Sequence, residues 1–194
     1  MNTIVTKTAI TFFLFLASFC SYGQDTNFII WSKNVLKPSD FTVLSEKVNA
    51  GQKAALTTGQ IGYRYSYKNE GSQNIVFIEI QNRFSKDKSW MKSDAINNQN
   101  LLEHEQLHFD LGEVYARMFT KILSEKRIAK NLRENLPQIY KEVFSQMEAK
   151  QVLYDQETNH GLIKEKQKEW KVFIEEELEK YKDFADKKVS YSVS

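Results

Sequence analysis

The chain has little cysteine, glycine and proline: 194 residues include one Cys, 7 Gly and 2 Pro. Collagen-like and low-complexity chains concentrate glycine and proline, so these classes are excluded. No pattern recurs at a period of about 20 to 50 residues, which excludes a solenoid or a propeller. The remaining composition, 41% hydrophobic and 13% aromatic, is typical of one globular domain with its own core.

An excess of one charge is also lacking. The chain has 27 Lys and Arg against 25 Asp and Glu, a net charge of +2. A protein that grips nucleic acid needs a basic field to neutralise phosphates. The sequence therefore predicts no nucleic-acid partner, and it indicates no oligomeric state.

Long apolar runs are absent except at the N-terminus. Lys7 precedes the run AITFFLFLASF (residues 9–19), and the small residues Ser21 and Gly23 follow. This order is typical of a secretory signal peptide cleaved before Gln24, and the run is shorter than the about 20 residues of a membrane-spanning helix. We expect a signal peptide over residues 1–23 and a single domain over 24–194. That domain would be exported, periplasmic or extracellular, with no membrane span.

The one cysteine, Cys20, lies inside this predicted signal. A lipoprotein would be acylated there, but Phe19 stands where a small residue is needed, so we expect no lipid anchor. The mature chain would then have no cysteine, which excludes a disulfide framework and a thiol nucleophile.

Strand patterns lie in the N-terminal half. A short apolar segment (FIIW, residues 28–31) precedes Pro38. Residues 61–67 alternate apolar with polar side chains, and residues 75–84 (IVFIEIQNRF) are rich in β-branched and aromatic types. With a turn around Gly71 between them, these two segments predict an antiparallel hairpin.

Helical periodicity follows. Apolar residues and both histidines of one motif recur at steps of three and four from Leu101 to Ile122, and two further stripes span residues 132–147 and 170–181. Residues 154–161 (YDQETNHG) lack periodicity and are expected to form a loop. The tail over residues 187–194 is expected to be frayed. The sequence thus predicts an α+β fold, a small antiparallel sheet followed by about three helices.

The chemical signal is HEQLH (residues 104–108) on the first long helix. Because residues four apart lie on one helix face, His104 and His108 can reach one metal ion. Glu105 beside them can take a proton from a water that the metal activates. A lone histidine on an apolar stripe would be a core residue, but two with this glutamate indicate a metal site. We expect one Zn²⁺ per chain.

Catalytic zinc usually takes three protein ligands. The remaining histidine, His160, lies in the predicted loop before the third helix, where Gly161 allows a tight turn. It is our expected third ligand. Glu113 and Asp110 are the alternatives, and either would need the first helix to end early.

Five more residues are candidates for supporting roles. Asp110 and Asp155 could hydrogen-bond the far nitrogen of a ligand imidazole. Tyr115, Arg117 and Tyr154 could stabilise charge in the transition state. Solvated carboxylates, core packing and a helix ion pair are the simpler interpretations of these residues.

The chain resembles a bacterial family described as predicted secreted zinc-dependent proteases, domain of unknown function 922. The resemblance implies a zincin-like domain with zinc held by His104, His108 and His160, and Glu105 as the general base. The stretches that carry it are WSKNVLKPSDF (31–41), AALTTGQIGYRY (54–65), SWMK (89–92), LLEHEQLHFDLGEVYAR (101–117) and YDQETNHG (154–161), with Gln167 and Trp170.

We therefore expect an exported zinc metallopeptidase that acts on a peptide or protein. The edge of the strand at residues 75–84 could hold an extended peptide, unless that edge is covered. Two alternatives stay open. One is a non-catalytic envelope protein with a structural zinc, and the other is an amide or ester hydrolase acting on a non-peptide envelope substrate.

Overall fold

A computed structural model of the chain describes residues 27–32, 35–45, 53–70, 73–126 and 128–193. The predicted signal peptide, its cleavage site and Cys20 lie outside these ranges. Within them, no helix is long and apolar enough to cross a membrane. The strands are β1 (Phe28–Ile30), β2 (Thr42–Leu44), β3 (Ala55–Leu56), β4 (Gly59–Glu70), β5 (Gln73–Ser85), β6 (Trp90–Lys92) and β7 (Lys188–Val193); the helices are α1 (Gln99–Lys126), α2 (Leu132–Thr158) and α3 (Lys164–Lys180).

The larger sheet is antiparallel and is built around β5. β4 pairs along one side of β5, and the predicted hairpin is confirmed, with pairing that continues to Glu70 opposite Gln73. On the other side, β7 pairs with residues 74–79 and β1 with residues 83–85. β5 is therefore a central strand, and the expectation that its edge could hold a peptide is wrong.

A second, three-stranded sheet was not predicted. β6 is its central strand, parallel to β2 and antiparallel to β3. These strands have only two or three residues each, too few to show a periodic pattern. The α+β class is confirmed, and one parallel pair is added to the antiparallel sheet that we expected.

The three predicted helices are confirmed, and α1 forms the centre of the molecule. It packs against β4 and β5 on one side and against α2 and α3 on the other. Its buried side chains face both layers because a helix between two layers has little solvent-exposed surface. To the larger core cluster α1 contributes Leu107, Leu111, Val114, Tyr115, Ala116, Phe119 and Leu123, and to a second cluster Leu101, Leu102 and Phe109.

The expected loop over residues 154–161 is wrong for its first five residues, since α2 continues to Thr158. The chain leaves the helix only at Asn159, His160 and Gly161, which have φ of 46°, 54° and 81°. Left-handed residues end helices, so the stop signal comes later than the polar composition suggested. The side chain of Tyr154 is fully buried within this last turn.

The expected frayed tail is also wrong, because residues 188–193 form β7. Val189 and Tyr191 are buried, whereas Ser190 and Ser192 are exposed, which is the period of a half-buried strand. The hydroxyl of Tyr191 donates to the carbonyl of Leu123 in α1. The C-terminus therefore completes the larger sheet.

Replacing Tyr191 tests this strand. Tyr191→Ala removes a buried aromatic ring and its hydrogen bond, so we expect the free energy of unfolding to fall by about 3 kcal/mol. Ser190→Ala, on the exposed face of the same strand, should change it by less than about 0.5 kcal/mol. Urea denaturation measures both, and equal, negligible effects would mean that the tail is frayed.

Candidate metal centre

Helices α1 and α2 bring together the side chains that form the candidate metal centre. α1 carries His104 and His108 one turn apart, and α2 places Asp155 opposite them. The Nε2 atoms of the two imidazoles are 3.2 Å apart. Asp155 Oδ1 is 3.1 Å from Nε2 of His104 and 3.0 Å from Nε2 of His108. This group of three could hold a metal ion.

The spacing fits a small tetrahedral ion. Ligand atoms at about 2.0–2.1 Å from such an ion lie about 3.3 Å from one another. The three distances within the group, 3.0 to 3.2 Å, are close to this value. Two imidazole nitrogens and one carboxylate oxygen are also ligand types that zinc accepts.

Two glutamines orient the imidazoles. Nδ1 of His104 is 3.2 Å from Oε1 of Gln167, and Nδ1 of His108 is within hydrogen-bond distance of Oε1 of Gln151. The amide of Gln151 also donates to the main-chain carbonyl of His108, at 2.9 Å. When an imidazole is neutral and its Nδ1 donates to the glutamine oxygen, the lone pair of its Nε2 is available to a cation; when it is protonated, Nε2 donates to Asp155 instead.

Sequence reasoning did not assign either glutamine a role. Gln151 lies four residues before Asp155, so a helix through residue 155 would have placed both side chains on one face. Because a loop was expected from residue 154 onward, the four-residue spacing of Gln151 and Asp155 was not interpreted as a shared helix face. Gln167 is on α3 and reaches the site only through helix packing, for which the sequence offers no local signal.

The charges at the centre shift its pKa values. Burial alone would raise the pKa of Asp155, but hydrogen bonds from His104 and His108 hold it well below its usual range. Burial would lower the pKa of His108, yet the hydrogen bond with Asp155 and the charge of Glu105 raise it. A cation and a proton thus compete for His108, and metal binding would release a proton.

Glu105 has a buried carboxylate with free hydrogen-bonding capacity. Its side chain is 3% exposed, and Oε2 has no hydrogen-bond partner among the described residues. Leaving a buried carboxylate oxygen unsatisfied is costly. An atom in that state beside His104 and His108 is suited to bind a ligand such as water.

A cleft of about 850 Å³ opens onto this group. Glu105, His104, His108 and Asp155 line it together with the segment that leads through β3 into β4. The other lining residues that matter below are Lys53, Ala55, Thr57, Val152, His160, Leu162 and Lys164.

Among the described residues, β3 is an edge strand, and its unpaired side borders this cleft. The carbonyl of Ala54 accepts from the N–H of Lys92, and both main-chain groups of Thr58 bond toward the β5–β6 side. Alternate residues of an antiparallel strand point both main-chain groups to one side. The N–H and C=O of Ala55 and Thr57 therefore point away from β6, into the open edge.

His160 borders the compact group. Its Nδ1 is 3.2 Å from Asp155 Oδ1, and its side chain is 45% exposed. The following Gly161 is required, because a Cβ there would lie 3.0 Å from Cβ and Cγ of His104. That His160 is a ligand remains a prediction. Asp155, predicted to support a ligand, is itself one of the three residues that could hold a metal ion.

The other candidate residues lie outside the cleft. Tyr154 stacks on the ring of His104 at 4.7 Å, and its hydroxyl donates to Gln167 at 2.9 Å. Burial raises its pKa above the ordinary value. Tyr115 is a core residue, and Arg117 bonds Glu113 at 3.1 Å. Tyr115, Arg117 and Tyr154 are not among the residues that line the cleft.

The two alternative third ligands also lie elsewhere. Asp110 accepts from the indole of Trp31 at 2.7 Å and from the amide of Gln106 at 2.8 Å. Glu113 is fully buried and pairs with Lys187 at 2.8 Å. Burial raises the pKa of both carboxyls despite these bonds. Both therefore connect α1 to the N- and C-terminal segments.

The orienting role of Gln151 can be tested by metal affinity. Gln151→Ala frees the ring of His108, so we expect affinity for Zn²⁺ to fall about 10–100-fold. Gln156→Ala, on the exposed side of the same helix, is the matched control. Competition with a chelator measures both, and an unchanged affinity in Gln151→Ala would contradict the assignment.

Comparison with known proteins places this site in a family. The family model described as "Bacterial protein of unknown function (DUF922)" matches residues 44–161, more than half of the chain. The match includes β3 to β6, the whole of α1 and α2, and His160. No curated protein and no solved structure matches the chain. The chain belongs to the DUF922 family of bacterial proteins of unknown function.

Proposed function

We propose that this protein is a zinc-dependent peptidase with a zincin-like active site. The observation that carries the proposal is the buried Oε2 of Glu105, which has no hydrogen-bond partner in the described part of the chain. It lies beside two imidazoles and a carboxylate that converge on one point. A site that only binds a metal ion would not need a glutamate without a hydrogen-bond partner next to its ligands. A carboxylate held there without a partner is what proton transfer from water requires.

We assign the three ligand atoms to Nε2 of His104, Nε2 of His108 and Oδ1 of Asp155. Three protein ligands leave one position for water or substrate, as in catalytic zinc sites. Zinc bound there would lower the pKa of a coordinated water from 15.7 to about 7 and polarise a carbonyl oxygen. His160 then lies beside the ligand Asp155, at the cleft wall.

Glu105 moves the proton in the proposed reaction. Its carboxylate accepts a proton as the water oxygen bonds to the scissile carbonyl carbon. It then passes that proton to the leaving amine as the C–N bond breaks. Thr57 Oγ1 donates to the main-chain carbonyl of Glu105 at 3.3 Å, which ties the segment after β3 to α1 beside this residue.

The substrate we favour is an extended polypeptide. The outward main-chain groups of Ala55 and Thr57 could pair with one, since main-chain pairing along a strand edge gives affinity independent of sequence. This edge belongs to β3 and not, as expected from the sequence, to the strand at residues 75–84. Val152, 55% exposed, and Leu162, 74% exposed, lie on the opposite cleft wall, where apolar substrate side chains would bind.

The two alternatives are less well supported. A structural zinc site is typically closed by four protein ligands, whereas this group lies in an open cleft. An amide or ester hydrolase on a non-peptide substrate would use the same residues, but it would have no use for the free edge of β3. Export to the periplasm or medium remains part of the proposal and depends on the N-terminal sequence pattern.

Glu105→Gln tests the catalytic assignment. The amide is isosteric but cannot take a proton, so we expect retained Zn²⁺ binding and retained fold with peptide hydrolysis reduced at least about 100-fold. Glu103→Gln, two residues earlier on the same helix, is the matched control. Its carboxylate pairs with Lys171 on the surface, and hydrolysis should be unchanged.

The measurement uses the zinc-loaded chain from Gln24 onward and a library of peptides capped at both ends. Equal turnover by Glu105→Gln and the native protein would remove the general-base role. Zinc bound at one ion per chain without hydrolysis of any peptide would favour the structural or non-peptide alternatives.

A second comparison decides the third ligand. Asp155→Ala should lower the affinity for Zn²⁺ by more than about 100-fold, the upper end of effects from residues outside the ligand shell. His160→Ala should lower it less than tenfold, roughly the lower end of that range. Chelator competition at fixed pH gives both values, and the reverse order would make His160 the ligand, as the sequence resemblance implies.

A further inference from the structure

The proposed reaction needs a hydrogen-bond donor for the carbonyl oxygen of the substrate. Negative charge develops on that oxygen as water attacks, and a donor aimed at it supplies a large part of many enzymes' rate. The residues expected to do this, Tyr115, Arg117 and Tyr154, are engaged outside the cleft. Another residue must supply the donor.

Lys53 is the cation that lies beside the metal-binding group. Its Nζ is 4.0 Å from Oδ2 of Asp155, and its side chain is 45% exposed. The other oxygen of the same carboxylate is 3.0 to 3.1 Å from Nε2 of His108 and His104. The ammonium group is therefore one carboxylate away from the point where the three ligand atoms converge.

The segment that follows Lys53 is held at two points. The carbonyl of the next residue, Ala54, accepts a hydrogen bond from Lys92 of β6 at 2.9 Å. Four residues after Lys53, Thr57 contacts the carbonyl of Glu105. Lys53 and Glu105 thus line the same cleft, which has a volume of about 850 Å³.

We propose that Lys53 is a catalytic residue that donates an N–H hydrogen bond to the scissile carbonyl oxygen as that oxygen becomes negative. The proposal rests on the peptidase function proposed above. It assigns Lys53 a role that requires its charge and its donor, and no proton transfer.

The step balances without a further reactant. The water oxygen forms a bond to the carbonyl carbon, one water proton goes to Glu105, and the π electron pair of the C=O bond moves to the carbonyl oxygen. Lys53 donates a hydrogen bond to this oxygen and keeps its proton. When the C–N bond breaks, the C=O bond re-forms and the amine takes the proton from Glu105.

The test compares a tetrahedral, anionic probe with its planar parent. The probe is a phosphinic tetrapeptide capped at both ends, and the parent is the same capped peptide with an intact amide. Both are titrated calorimetrically into zinc-loaded Glu105→Gln protein, which cannot turn the parent over. The added substitutions are Lys53→Ala, Lys53→Arg and, as the control cation lining the same cleft, Lys164→Ala.

We expect Lys53→Ala to weaken phosphinate binding at least tenfold more than it weakens binding of the parent peptide, with zinc content unchanged. Lys53→Arg should recover part of the loss because it restores the charge and a donor. Lys164→Ala should leave the ratio of the two affinities unchanged. With Glu105 present, Lys53→Ala should lower kcat about 10²–10³-fold, the usual effect of losing one such donor.

Equal losses for both ligands would mean that Lys53 only shapes the cleft, and phosphinate affinity unchanged by Lys53→Ala would also overturn the proposal. In either case the peptidase function would stand, since the native protein would still bind the probe and cleave peptides. Failure of the native protein to cleave any library peptide, with neither ligand bound by Glu105→Gln, would overturn the peptidase function and the role of Lys53 together.

Discussion

The site depends on the contact between α1 and α2. This contact brings together two pairs of side chains, each pair one helical turn apart. His104 and His108 lie four residues apart on α1, and Gln151 and Asp155 lie four apart on α2. The same 5.4 Å turn separates each pair, so one partner on α2 can orient an imidazole while the other meets both Nε2 atoms. A shift of either helix by one residue would remove these contacts.

A polar centre inside a small protein has an energetic cost, and the hydrogen bonds around it offset that cost. Gln167 and Gln151 accept from the two Nδ1 atoms, and Tyr154 stacks beneath His104. Three buried side-chain atoms lack a hydrogen-bond partner among the described residues: Oε2 of Glu105, Oε2 of Glu113 and Nε2 of Gln167. Of these three residues, Glu105 is the one that lines the cleft, and unsatisfied groups can be retained where a site uses them. Glu105 therefore carries the functional proposal.

The far side of α1 is held just as firmly. Trp31 donates to Asp110, and the guanidinium of Arg117 lies 5.1 Å from the Trp31 ring. Lys187, just before β7, pairs with Glu113. These buried carboxylates looked like candidate ligands in the sequence. Their function in the fold is to attach the N- and C-terminal segments to the helix that carries the histidines, on a rigid element where ligand geometry is kept.

The hairpin of β4 and β5, helix α1 and the pairing of His104 with His108 were predictable because each follows from a local period of two or 3.6 residues. β7 has the same kind of alternation, but six residues at a terminus were too short to outweigh an expectation of fraying. The last turns of α2 were predicted as a loop because the residues around Tyr154 are polar, although Tyr154 itself is buried.

What the sequence by itself determined is therefore the content of each helix and of the long hairpin, and the metal-binding spacing on α1. Tertiary structure decided which residues meet that motif. Asp155, Gln167 and Lys53 lie about fifty residues or more from His104 along the chain, and no local period connects them to it. Their approach results from packing between layers, in which side chains far apart in sequence must share one buried volume.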